Sequence, residues 1–332
     1  MSKPDYLWDR TGAPDPDVAR LEQLLAPLAH DRPLDELRVR RSSRRAVWIA
    51  GIVVAAAAAA VFVIVLRGRG ASEATCGAGH GMAFVAHGGE VTCGGGLAAR
   101  GVLPVGETLD TGAHRAQLAI ASIGTAELFE GTRVRLDRTE PARHQLHLER
   151  GRMHARVIAP PRIFAITTPS TNVVDLGCEY TVEIDEAGRG SIIVQSGKVE
   201  LEGAAGVVVA PAGTTTRLLA GRRASLPLAE TASAELRAAV VALEAGATGA
   251  IERVVAAVGD EDAITLTALV DLAPPERRPE LLARLAELVA PPEGVSIEGA
   301  ARDAAERGRW RDQVVDVHIA QHVLRASPSP HK

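Results

Sequence analysis

From about residue 97 to residue 227 the chain is written in short apolar stretches separated by turn residues. AQLAIA (116–121), AELFE (126–130), RVRLD (133–137), QLHLE (145–149), MHARVI (153–158), YTVEID (180–185), SIIVQ (191–195) and KVELE (198–202) are the clearest. Several alternate apolar with polar positions, the period of a strand with one buried face. Asp185-Glu186-Ala187-Gly188 and Ser196-Gly197 supply the turn chemistry between them. The pattern predicts a mainly β domain over 97–228, of antiparallel character, as a sandwich, a roll or a solenoid. Periodicity does not choose among those three. From residue 229 the period changes. Leu236, Val240 and Leu243, then Val254, Val255 and Val258, then Leu266, Leu269 and Val270, then Leu281, Leu282, Leu285, Leu288 and Val289 follow helical spacing, with breaks at Gly246, Gly259 and Pro274-Pro275. An α-helical region is expected over 229–325, followed by a disordered tail at 326–332.

The first hundred residues read differently. Ala46 to Leu66 carry no charge. As a helix they would reach about 31 Å, the thickness of a bilayer core. A transmembrane helix over 46–66 is therefore expected, with Trp48 near its headgroup end. Arg32, Arg38, Arg40, Arg41, Arg44 and Arg45 precede this run, and only Arg67 and Arg69 follow closely. That bias places the N-terminus in the cytoplasm and the rest in the periplasm, for a single-pass inner-membrane protein. Residues 67–96 are Gly-rich and read as a linker leading into a first strand or two.

Residues 1–45 form a short cytoplasmic head. Asp15-Pro16 opens a helix, and Val18, Leu21, Leu24, Leu25 and Leu28 then make one apolar stripe. So short a segment cannot bury that stripe in a core of its own. Trp8, Leu21, Leu24, Leu25 and Leu28 are the candidate contacts for a partner protein. The arginines behind them suit lipid headgroups.

Charge is near balance, with 37 basic and 41 acidic residues, which argues against direct nucleic-acid binding. Aromatic residues make up 3%, so the core must rest on Val, Leu, Ile and Ala. No nucleophile elbow, phosphate loop or dinucleotide fingerprint occurs, so neither an enzyme nor a cofactor is expected. Cys76, Cys93 and Cys178 all fall on the exported side, where oxidation favours a disulfide. Cys76 with Cys93 is the first choice, and Cys178 is left as a buried thiol. His80 and His87 lie between the paired cysteines without the spacing of a zinc module. His318 and His322 stand four apart on one helix face, without a third metal ligand in view.

The order of several motifs resembles the FecR-like domain family. Gly151-Arg152-Met153, FAITTPS (164–170), DLGCEYTVEID (175–185), SGKVELE (196–202) and Pro211-Ala212-Gly213 follow one another as that family's motifs do. A subgroup of the family is closer still, sharing the YLWDRTG head, the DLGC core and the Ala159-Pro160-Pro161 turn. The resemblance implies structural roles for Gly151, Pro169, Gly177, Cys178, Tyr180, Gly197 and Gly213. It also implies a regulator that passes an envelope signal to a cytoplasmic extracytoplasmic-function sigma factor, as anti-sigma-type proteins do. The alternative is an envelope scaffold whose β domain and helical tail hold other proteins.

Overall fold

The computed structural model describes Cys76, residues 80–221 and residues 223–326. These belong to one of two units of the chain, Ser72–Lys332. Trp8, the leucines of the head and residues 46–66 lie outside the described residues.

Two sheets face each other and share one long strand. The first runs β4 (Arg100–Pro104), β1 (Gly81–His87), β6 (Arg115–Ile120), β7 (Gly124–Leu128), the second half of β9 (Arg143–Val157), β12 (Glu179–Ile184), β13 (Gly190–Ser196) and β16 (Thr214–Leu219). Two short strands, β17 (Arg223–Ala224) and β18 (Leu228–Ala229), pair with β16. The second sheet runs β3 (Gly96–Ala98), β2 (Val91–Cys93), β5 (Thr108–Asp110), β8 (Arg133–Glu140), the first half of β9, β10 (Phe164–Thr167), β11 (Asn172–Asp175), β14 (Lys198–Gly203) and β15 (Gly206–Pro211). The pairing of β9 with β10 is parallel, and every other pairing among the described residues is antiparallel. The architecture is a β sandwich with C-terminal helices.

Strand β9 shows how one sequence serves both sheets. In its first half His144, Leu146 and Leu148 point inward, and in its second half Met153, Ala155 and Val157 do. The inward parity changes from even to odd, because the same core is met from opposite sides. The exchange occurs at a bulge opposite β8, where Arg133 pairs with Arg150 and Val134 with Leu148. Gly151 follows directly, with φ of 95°. A side chain there would stand 2.4 Å from the Cα of Thr132. Only glycine permits both the turn and the approach.

Six α-helices follow among the described residues: α1 (Ala234–Glu244), α2 (Ala250–Ala257), α3 (Ala263–Leu272), α4 (Arg278–Leu288), α5 (Ile297–Arg302) and α6 (Ala304–Ala326). Ser233 and Ser296 cap α1 and α5 by accepting the amides of Leu236 and Gly299. Helix α3 is buried from Ala263 to Val270 and packs against β15, β18, α4 and α6. It is the bridge between sandwich and helices. Thr265 Oγ1 donates to the Pro227 carbonyl at 2.6 Å. At its end Asp271 receives Arg307 at 3.1 Å and Arg311 at 3.2 Å, both from α6. Trp310 is fully buried and its Nε1 donates to the Val289 carbonyl at 3.1 Å.

Two expectations change. The fold class loses its transmembrane helix: among the described residues no helix is long and apolar enough to cross a membrane. The longest described helix, α6, has 23 residues and spreads Arg, Asp and Glu along its length. The segment expected to span, 46–66, lies outside the described residues. The sandwich also begins earlier than the pattern predicts, at Gly81 inside the Gly-rich stretch. Strands β2 and β3 have only three residues each, too short to display a period.

Candidate functional site

The motif residues of the second half of the sandwich converge on one corner, where the chain passes from β11 in one sheet to β12 in the other. Asp175 ends β11 and is almost wholly buried, at 1% exposure. Its Oδ1 accepts the Gly177 amide at 2.6 Å, and its Oδ2 accepts the Cys178 thiol at 2.8 Å. This is the aspartate-capped turn that an Asp two residues before a Gly favours. Gly177 takes φ of 90° and Gly197 takes φ of 70°. A side chain on Gly197 would stand 2.5 Å from the Gly177 carbonyl and 2.9 Å from Cys178 Cβ. The two glycines therefore let the β11–β12 and β13–β14 turns lie on each other.

Tyr180, the next inward position of β12, is fully buried, and its hydroxyl has no hydrogen-bond partner. Burial raises the pKa of the Tyr180 phenol well above its ordinary value, with the charges of Asp175 and Cys178 adding to the effect. Burial pushes the Cys178 thiol far up as well, and the neighbouring Asp175 carboxylate pushes it further. Such a thiol stays protonated and is a poor nucleophile. Asp175 is itself raised, by burial first, with its hydrogen bonds from Cys178 and Gly177 opposing. The contacts of Asp175 hold the turn at this corner.

The loop from β9 to β10 rests on this corner. The Arg162 amide donates to the Asp175 carbonyl at 2.8 Å, and the Val157 amide donates to the Cys178 carbonyl at 3.0 Å. Arg162 has φ of 69° without being glycine. Its guanidinium holds Glu200 and Glu202 on β14, the latter at 3.2 Å. Beside the corner, Arg156, Val157, Ile158, Gly177, Cys178 and Ser196 line a cleft of about 320 Å³, and Ile158 stands 83% exposed at its edge.

The remaining motif residues stand apart from the corner. Gly151 is at the sheet crossing. Pro169 is exposed in the turn between β10 and β11, a turn fastened by Ser170 Oγ to the Gly188 carbonyl. Gly213 lies between β15 and β16, beneath α6. A disulfide joins Cys76 to Cys93, so neither sulfur is free to join His80 or His87 on a metal. Among the described residues no group of three or more metal-ligating side chains comes together. His144 is buried with Nδ1 2.9 Å from Thr139 Oγ1, and burial lowers its pKa. His154 stands 3.0 Å from Thr181 Oγ1 and 3.1 Å from Glu179.

Asp175, Arg162, Glu200 and Glu202 were not among the residues singled out from the sequence. The spacing of Asp175 before Gly177 was the available signal for the first. Nothing local points to Arg162, whose partners lie 38 and 40 positions away.

Residues 107–200, which include the sheet crossing and the corner, match the model of the FecR protein family. The chain carries a FecR-like domain. The FecR family is one of regulators. Two crystal structures of a "putative anti-sigma factor" from Parabacteroides distasonis also align with the chain. One has 18% identity and a TM-score of 0.33, covering 40% of this chain and 64% of that one. The other has 19% identity and a TM-score of 0.32, covering 39% of this chain and 61% of that one. The chain thus spans less than two thirds of either, and scores of this size establish no shared activity. No curated protein matches.

Proposed function

We propose that the chain is a FecR-like regulator that passes an envelope signal to a cytoplasmic extracytoplasmic-function sigma factor. The observation that carries this reading is the family match over residues 107–200, seated on an intact β sandwich. The β domain receives the signal on the exported side of the inner membrane. The Cys76–Cys93 disulfide supports that side, since such bonds persist where thiols are oxidised. The head stays in the cytoplasm and presents Trp8, Leu21, Leu24, Leu25 and Leu28 to the sigma factor. An apolar stripe on a segment too short to bury it supports a protein partner. Transmission needs two states of the β domain that the signal binds unequally, because a ligand shifts only an equilibrium it distinguishes.

The test is crosslinking of the full chain in cells, followed by capture and identification of the partner. A sigma factor recovered with the native chain and lost with Leu24→Asp supports the reading. Recovery of envelope proteins alone, unchanged by Leu24→Asp, replaces it with the scaffold reading.

A further inference from the structure

Helix α6 ends on the sandwich through two histidines. His318 is 4% exposed, and its Nε2 donates to the Ala212 carbonyl at 3.1 Å, 106 positions earlier in the chain. One turn later His322 lies on Gly213, where a side chain would come within 2.3 Å of its Nδ1. Gly213 has φ of 77°. The absence of a side chain there is what lets the second imidazole settle on the turn. The spacing of four that would suit a metal serves instead to grip Ala212-Gly213 between β15 and β16.

Among the described residues, the fully buried apolar anchors of the helix lie upstream of this point. Trp310, Val314 and Val315 are fully buried. Beyond His318, Ile319 is the one apolar side chain among the described residues packed on the core, whereas Leu324 is 75% exposed. The last two turns are therefore held mainly by polar contacts.

We propose that His318, with His322 seated on Gly213, forms a clasp that holds the end of α6 on the sandwich and releases it when the buried His318 is protonated in mild acid. The charges around the clasp favour release. On α6 itself stand His322 and Arg325, and Arg325 already occupies Glu261, just before α3, at 3.0 Å. Asp262 beside it is buried, and its Oδ2 accepts the Gly259 amide. Asp316 faces Lys198 of β14 at 4.0 Å. Glu230 is exposed and meets the Gly213 carbonyl through its backbone amide at 3.1 Å. A new imidazolium charge on His318 would thus join Arg325 around one carboxylate of Glu261.

The direction of titration agrees. Burial lowers the His318 pKa, with Arg325 and His322 lowering it further against the Ala212 hydrogen bond and Glu261. A freed imidazole takes up its proton near pH 6.5, and the docked one resists. Docking is therefore strongest above about pH 6.5 and weakens as the pH falls below it. The clasp stands whether or not the head binds a sigma factor. It gives the exported region a response to acid that the sandwich can transmit through the strands flanking Gly213.

Hydrogen–deuterium exchange of the full chain at pH 7.5 and pH 5.0 tests this, with intrinsic exchange rates corrected. Protection of residues 319–325 should fall at the lower pH, by at most about 30-fold for one histidine with a free pKa near 6.5. Protection of β12 should not change. His318→Gln keeps an N–H donor without an ionisable ring and should flatten the response. Equal protection at both pH values overturns the proposal, as does an undiminished fall in His318→Gln. Should that variant lose β12 protection at pH 7.5, NMR titration of His318 in the native chain decides. A midpoint below 6.5 upholds the clasp, and one at or above 6.5 overturns it.

Discussion

Gly151 allows the sheet crossing to be tested against a matched control. Gly131 and Gly151 both have positive φ, at 73° and 95°. Around Gly131 an added side chain meets nothing within 4 Å, whereas at Gly151 it meets the backbone of Thr132 at 2.4 Å. Replacing either by alanine incurs the left-handed strain, about 1 kcal/mol. At Gly151 the clash also displaces Thr132. The Thr132 hydroxyl donates to the Arg152 carbonyl at 2.9 Å and accepts the Arg152 amide at 3.0 Å. Losing both bonds costs about 2 kcal/mol more, so Gly151→Ala should destabilise by about 3 kcal/mol and Gly131→Ala by about 1 kcal/mol. For a unit of this size the melting temperature should drop by roughly 6 to 12 °C and 2 to 4 °C respectively. Urea denaturation of both variants, read by circular dichroism, gives the free energies directly. Values within about 0.5 kcal/mol of each other would refute the close approach at the crossing.

Three further outcomes follow from the same contacts. Tyr180→Phe removes a buried hydroxyl that has no partner, so stability should hold or rise by up to about 1 kcal/mol; a loss beyond that in urea melts would reveal a bond to that oxygen. Asp271→Asn leaves Arg307 and Arg311 facing a neutral group and should cost about 3 kcal/mol, with α6 losing protection in hydrogen exchange ahead of β12. Burial lowers the folded-state pKa of His144 and of His318, so the unfolded chain binds more protons than the native one below pH 6.5. Stability should be level just above that pH and decline below it. His144→Gln should remove part of the decline, while the raised Asp175 acts in the opposite sense nearer pH 4.

Much of the sandwich was legible because half-buried strands advertise themselves by alternation, as RVRLD and KVELE do. What was not legible depends on distant partners. The parity change in β9 is invisible without knowing that its two halves lie in different sheets. Helix α3 shows no amphipathic face, since it is buried all round. The DLGC motif pointed to the corner, but its aspartate became informative only when the thiol and the Gly177 amide were found on its two oxygens. His318 and His322 were correctly spaced for one helix face. The sequence could not say that the face meets a glycine turn rather than solvent or a metal.

The regulator reading is tested most directly by comparing transcripts from cells with and without this protein under otherwise identical envelope conditions. The account predicts changes confined to promoters read by one alternative sigma factor, and the same changes when Leu24→Asp replaces the native chain. An unaltered transcript profile, together with a damaged envelope, would contradict it.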